Sequence, residues 1–366
     1  MGVDAQHRKL VTMARPAAAD FFTSLGARWP VIQAPMAGFG DSALAIAAIR
    51  GGGVGSLAGA MFTPDRLLVE AATVRAAASG PLNLNFFCHT PPDDPDDTAW
   101  RAALAPFYAA EGIASDGPAP PARRPFDAET ARVVEEVRPE IVSFHFGLPA
   151  PDLLARVRAT GARVIGNATT VAEARWLADA GCDAIIAQGY EAGGHAGYFL
   201  GDHRPVGTFA LVPQVADAVD VPVIAAGGIA DARGAAAAIA LGATGVQAGT
   251  AFLMTGDSNA SAVHRAALAT AQSHDSVFTN VFSGRFARGL RNRLVEALGP
   301  ASSAAAPFPF AAAAIAPLRA RAEAEGRGDY SSLWAGQGAP LARVRHAADL
   351  TEMLGAAALA ARRSLA

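Results

Sequence analysis

A short β-branched run ending in Gly, Ala or Asn, followed by an amphipathic Ala/Leu-rich stretch, recurs along the chain. That alternation constrains the fold more than any other feature. Strand-like runs fall at 31–34, 54–57, 82–86, 141–144, 163–166, 184–187, 223–225 and 245–247, with helical patterns between most of them, as at 171–180 and 233–241. Strands that alternate with helices pair in parallel, because a crossover must return the chain to the same end of the sheet. Eight such units over roughly 220 residues match a closed β/α barrel. The predicted class is α/β: a TIM (β/α)8 barrel with a smaller, mainly helical C-terminal subdomain.

Two regions break the rhythm and set the expected boundaries. Residues 1–254 read as the barrel, 255–330 as a helical subdomain without strand signals, and 331–366 as a return packing on the barrel. The insertion 90–126 opens with Pro91, Pro92 and Asp93 and carries Trp100, Phe107 and Tyr108. Apolar side chains in a long insertion at the catalytic end suit a lid better than a solvated linker.

Composition narrows the function classes. Hydrophobic residues are 51% and charged residues 17% of the 366, which suits a chain with a large core. The net charge of -3 offers no basic surface for a polyphosphate backbone, so nucleic acid is not an expected partner. No apolar stretch reads as a membrane span, and Met1 to Arg15 lacks the long apolar run of a signal peptide. Cys88 and Cys182 form no paired framework, which fits a reducing, cytoplasmic setting. Lys9 is the only lysine.

The chemistry-bearing segments sit at strand ends. Gly38-Phe39-Gly40-Asp41-Ser42-Ala43 fits a dinucleotide pattern, but 56–61 supplies no acid for a ribose, so this loop reads as backbone beside a flat cofactor. The seventh and eighth strands run into Gly227-Gly228 and into Gln247-Ala248-Gly249-Thr250. Two glycine loops in those slots suit one phosphate; glycines that merely permit tight turns are the plainer alternative. Gln188 ends the sixth strand, where its amide could meet the edge of a heterocycle. His195 follows in Glu191-Ala192-Gly193-Gly194-His195, aimed at the barrel mouth. His145 and Asn85 are polar groups at the same end. A G-x-S-x-G elbow, an H-E-x-x-H pair, a Walker loop and a metal-spaced Cys/His cluster are all missing from the sequence, so no metal site is expected.

Taken together, Ala34 to Gly38, Asn85 to His89, Ala187 to Gly197, Ala225 to Ile229, Gln247 to Thr250, Phe282 to Gly289 and Leu333 to Gln337 resemble the nitronate monooxygenases. The resemblance implies a TIM barrel with non-covalent FMN. It puts the cofactor against Met36, Asn85, Gln188, Gly193, Gly228, Gln247, Ala248, Gly249 and Thr250. It makes His195 the catalytic histidine, as base or anion binder, with His145, Ser283 and Tyr330 as further pocket residues. The implied reaction converts an alkyl nitronate or nitroalkane with O2 to a carbonyl compound and nitrite. Related FMN-dependent enoyl-ACP reductases share the Gly-Gly-His segment. An NAD(P)H-dependent flavin reductase therefore remains an alternative, as do a barrel isomerase or aldolase and a non-catalytic flavin binder. The oligomeric state is left open.

Overall fold

The computed structural model of the protein describes residues 21–93, 96–114 and 123–365. The N-terminal reading of Met1 to Arg15, Lys9 included, and parts of the 90–126 insertion lie outside those residues.

Eleven strands are described: β1 Val31–Gln33, β2 Gly55–Ala58, β3 Leu82–Phe87, β4 Ile141–His145, β5 Arg163–Ala168, β6 Ala184–Gln188, β7 Gly194–His195, β8 Val223–Ala226, β9 Gly245–Ala248, β10 Ser276–Thr279 and β11 Ala287–Leu290. Eight form a parallel sheet in the order β1-β9-β8-β6-β5-β4-β3-β2. A bridge between Ile32 and Val54, with Val54 N donating to Val31 O at 2.9 Å, joins its two edges. The sheet is a barrel, as the alternation of the sequence requires.

Side-chain alternation sorts the strands into two cores. Ile32, Val54, Ile141, Ile165, Ile186 and Ile224 pack together inside the barrel, closed below by Phe21 and Phe22. Their neighbours Val31, Val142, Val164, Ile185 and Val223 face the helices. Both faces are buried, so the strands carry near-continuous apolar runs. Local signals start the helices: Thr170 and Glu173 cap Val171–Asp179 reciprocally, and Thr63 caps Pro64–Ala77 with Pro64 at its first turn.

After β9 the chain leaves the barrel, then returns as Ala347–Leu365, which packs on Ala232–Ala240 and Ser42–Arg50. The excursion is mainly helical but also carries two strands, where 255–330 reads as without strand signals. β10 and β11 form a three-stranded antiparallel sheet with β7. β10 and β11 have only four residues each and β7 two, and β11 reads Ala-Arg-Gly-Leu, with no β-branched residue to betray it. Pairing with the distant Gly194 and His195, not local propensity, fixes it.

A second core joins the insertion to this excursion. Trp100, Leu104, Phe107 and Tyr108 pack with Val281, Ile315 and Leu318. Trp100 Nε1 donates to Ala311 O at 3.0 Å and Tyr108 OH to Ala314 O at 2.6 Å. Among the described residues no helix is long and apolar enough to cross a membrane.

Candidate active site

The alternation that puts isoleucines inside the barrel also aims the strand ends. Two residues beyond Ile165 and Ile186, the inward positions become Asn167 and Gln188; on β3 and β4 they are Asn85 and His145. Gln247 on β9 joins them, and all five line one cavity at the carboxyl end of the barrel. The same strands thus present an apolar interior below and hydrogen-bonding groups above.

One wall of this cavity is backbone. Gly227 and Gly228 lie at φ 118° and 72°, in the region that favours glycine. Gly228, Gly249 and Thr250 line the space, as do Gly193, Gly336 and Gly338. A side chain on Gly193 would meet Gly336 N at 2.5 Å, so the loop after β6 and the returning C-terminal segment touch backbone to backbone. Thr250 Oγ1 accepts from Gly336 N at 2.9 Å and completes that junction. Gly249 differs: its φ is -117°, and a Cβ there would meet only Ala34 and Met36 at ordinary contact distance. Nothing in the protein itself demands glycine at 249, which fits a wall that a ligand approaches closely.

The opposite wall is built from side chains. His195 belongs to β7 and is held by pairing with Ala287 of β11, while Gly194 before it turns the chain at φ 75°. Arg288 welds the preceding loop to this sheet. Its guanidinium is buried between the rings of Tyr190 and Phe278, and Nε donates to Tyr190 O at 2.9 Å. Buried Glu173 accepts from Phe199 N at 2.6 Å and from Leu200 N at 3.2 Å, which fixes the chain just after His195.

Hydrogen bonds set the imidazole tautomers. Ser283 Oγ donates to Arg285 O at 3.1 Å, so the 2.9 Å contact between Ser283 Oγ and His195 Nε2 has the ring nitrogen as donor. Nδ1 of His195 is then left with its lone pair. His145 Nε2 donates to His195 O at 3.2 Å, and Gln188 Nε2 donates to the same carbonyl at 2.9 Å. Phe87, Phe146, Phe308 and Trp334 surround the His195 ring, with centroids 5.3–6.0 Å away.

Burial in this aromatic box holds His195 well below the usual histidine range, and Arg123, His145, Arg285 and His89 push the same way. Burial, with Arg285 nearby, brings His145 down to about 4. Both imidazoles are neutral near pH 7.

Known proteins align with this arrangement. A sequence model of the family described as nitronate monooxygenase matches residues 20–356. The chain belongs to the nitronate monooxygenase family. It is 42% identical over 351 residues to the nitronate monooxygenase of Pseudomonas aeruginosa, covering 92% of this chain and 98% of that one. The Paraburkholderia phytofirmans nitronate monooxygenase is 41% identical over 338 residues, covering 90% and 92%. The solved structure of nitroalkane oxidase from Streptomyces ansochromogenes matches at a TM-score of 0.84 and 36% identity, covering 94% and 99%. FabK from Thermotoga maritima matches at 0.71 and 28%, covering 95% and 98%.

Within this family frame, the structure brings most of the sequence-derived candidates into one place. Met36, Asn85, His145, Gln188, Gly193, His195, Gly228, Gln247, Ala248, Gly249 and Thr250 all line the cavity. Ser283 stands behind His195 as its hydrogen-bond partner. Tyr330 is not at the cavity: it is fully buried in the second core, and its hydroxyl donates to Glu111 at 2.7 Å. Burial, followed by that bond, pushes the phenol up to about 12. Gln188 is also more committed than its position alone suggested. Its Oε1 accepts from Asn167 Nδ2 at 3.0 Å and from Gly197 N at 2.8 Å, so a single N–H remains for any ligand. Asn167, Arg123 and Trp334 line the cavity without having been singled out. Asn167 was findable from strand parity; Arg123 sits beside a Pro/Ala tract with no periodicity to flag it.

Proposed function

We propose that this cavity holds FMN and oxidises alkyl nitronates with O2 to a carbonyl compound and nitrite, with His195 as the base that admits neutral nitroalkanes. The observation that carries the reading is the neutral His195, tied through Nε2 to Ser283 and sharing one cavity with the glycine wall.

The residues fit the cofactor. Gln247 Oε1 is buried with no hydrogen-bond partner, an acceptor suited to a ring N–H. Both amide hydrogens of Asn85 go to Ser143, at 3.2 Å to its carbonyl and 3.0 Å to its hydroxyl, which leaves Asn85 Oδ1 as an acceptor. Asp231 already caps the helix Ala232–Ala240 through Arg233 N and Gly234 N. A phosphate would therefore rely on the loop backbone at Gly228, Gly249 and Thr250 rather than on that helix end. Bound there, FMN supplies the electron-accepting chemistry that the protein lacks.

The chain's own groups do the rest. His195 Nδ1 takes the α-proton of a nitroalkane, and the proton stays on the imidazole, whose Nε2–H remains with Ser283. Gln188 and His145 hold the His195 backbone so that the ring cannot drift. The four aromatic rings keep water from the reacting carbon. Per nitronate, one oxygen atom becomes the carbonyl oxygen and the C–N bonding pair leaves with nitrite, so two nitronates balance one O2.

The test is product analysis with propane-2-nitronate under air. Nitrite and acetone in equal amounts, with O2 consumed, support the reading. Flavin reduction by NADPH with no nitrite release would replace it with a flavin reductase.

A further inference from the structure

Arg123 is the candidate that neither the fold nor the proton-transfer step uses. It lies where the insertion re-enters the described chain, and it lines the cavity with His145, His195 and Phe87. Its Nε is buried with no hydrogen-bond partner, and among the described residues no carboxylate pairs with it. Among the described residues the one acid at the cavity, Glu191, is spent on Thr208, whose N and Oγ1 both donate to it at 2.7 Å. Among the described residues Arg319, of the same sign, repels it, and burial, followed by that repulsion, pulls its pKa down.

Arg123 is half-buried, and a guanidinium partly withdrawn from water, with no carboxylate among the described residues to pair with it, carries a cost that an anion in the cavity would offset. Among the described residues Arg285, the other guanidinium acting on these histidines, also has a buried Nε without a partner, but the rest of its fork is engaged. Arg285 donates to Tyr198 O and lies over the rings of Phe146 and Tyr198, at 4.1 and 4.2 Å. The histidines cannot serve, since burial keeps His145 and His195 neutral. The division of labour is forced: a base must be uncharged to act, so the charge that attracts an anion has to sit on a different group.

We propose that Arg123 is the anion-binding residue of the cavity, its planar fork pairing with the two oxygens of a nitronate and setting the preference for charged over neutral substrate. The proposal rests on the nitronate reading above for its substrate, but not for its anion site. The same charge favours the ionised product of proton abstraction, so a nitroalkane deprotonated by His195 is held as its nitronate.

The experiment uses the flavin-loaded wild type, Arg123→Gln and Arg123→Lys. Nitrate, a planar and unreactive anion, is titrated by calorimetry, and KM is measured for propane-2-nitronate and for 2-nitropropane. Losing a hydrogen bond to a charged group should weaken nitrate and raise the nitronate KM together in Arg123→Gln, by about 10- to 100-fold. The nitroalkane KM should change less than about threefold, and lysine, which keeps the charge but not the fork, should fall between. The proposal is overturned if nitrate fails to bind the wild type, if it binds Arg123→Gln unchanged, or if both variants shed their flavin. Nitrate binding that depends on Arg123, in a protein that turns over no nitronate, would uphold the anion site and sink the proposed reaction.

Discussion

The two walls of the cavity solve different problems. The glycine wall, from the loops after β8 and β9, is backbone that a ligand approaches, and its residues sit next to the strands that place them. The histidine wall is made of side chains whose positions depend on distant partners: Ala287 for the pairing of His195, Ser283 for its tautomer, Arg288 for the loop before it. A wall of backbone is set by the barrel. A wall of side chains needs a second core behind it, and here Trp334 serves both the second core and the aromatic box of His195.

The largest effect should come from the side-chain wall. His195→Asn, at matched flavin content, should lower the rate on neutral nitroalkanes by about 10²–10⁴-fold and the rate on nitronates far less. Equal losses on both substrates would make His195 an anion binder. The pH profile carries the sign of the same claim. The base acts when neutral, so kcat/KM for a nitroalkane should fall as the pH drops through the His195 pKa, and that limb should lie well below 6.5.

The backbone wall should break differently. Gly249→Val has an ordinary φ of -117° to occupy, so the fold should persist while flavin is lost on dialysis. Gly228→Val must also adopt φ 72°, which adds about 1–3 kcal/mol of strain, so it should lose flavin and melt at a lower temperature. Thermal melts with and without added FMN separate the two variants. Full flavin retention in both would move the phosphate elsewhere.

This contrast explains what the sequence discloses. The barrel and its glycine loops are local: strand, turn and helix follow one another, and the parity that hides Ile165 and Ile186 exposes Asn167 and Gln188. The sheet of β7, β10 and β11 joins residues about 90 positions apart through strands of two to four residues, and no local pattern announces it. Tyr330 was misplaced for a similar reason. It follows a helix and precedes the Trp334 segment that does reach the cavity, yet its ring turns into the second core, where Glu111 takes its hydroxyl.

The smallest effect follows from that placement. Tyr330→Phe should leave kcat and KM for nitronates unchanged and cost about 1.5–3 kcal/mol of stability, the range for a hydrogen bond to a charged group. A change in KM without a change in melting temperature would return Tyr330 to the cavity.

The central claim is that one cavity joins an FMN site to a wall that delivers nitronates, and the visible spectrum of the purified protein tests it most directly. The account predicts a yellow protein whose flavin is released by acid as FMN, and whose oxidised-flavin absorbance in the visible is lost on anaerobic addition of propane-2-nitronate but not of NADPH. A colourless protein that takes up no FMN, or a flavin that NADPH bleaches and the nitronate leaves untouched, would contradict it.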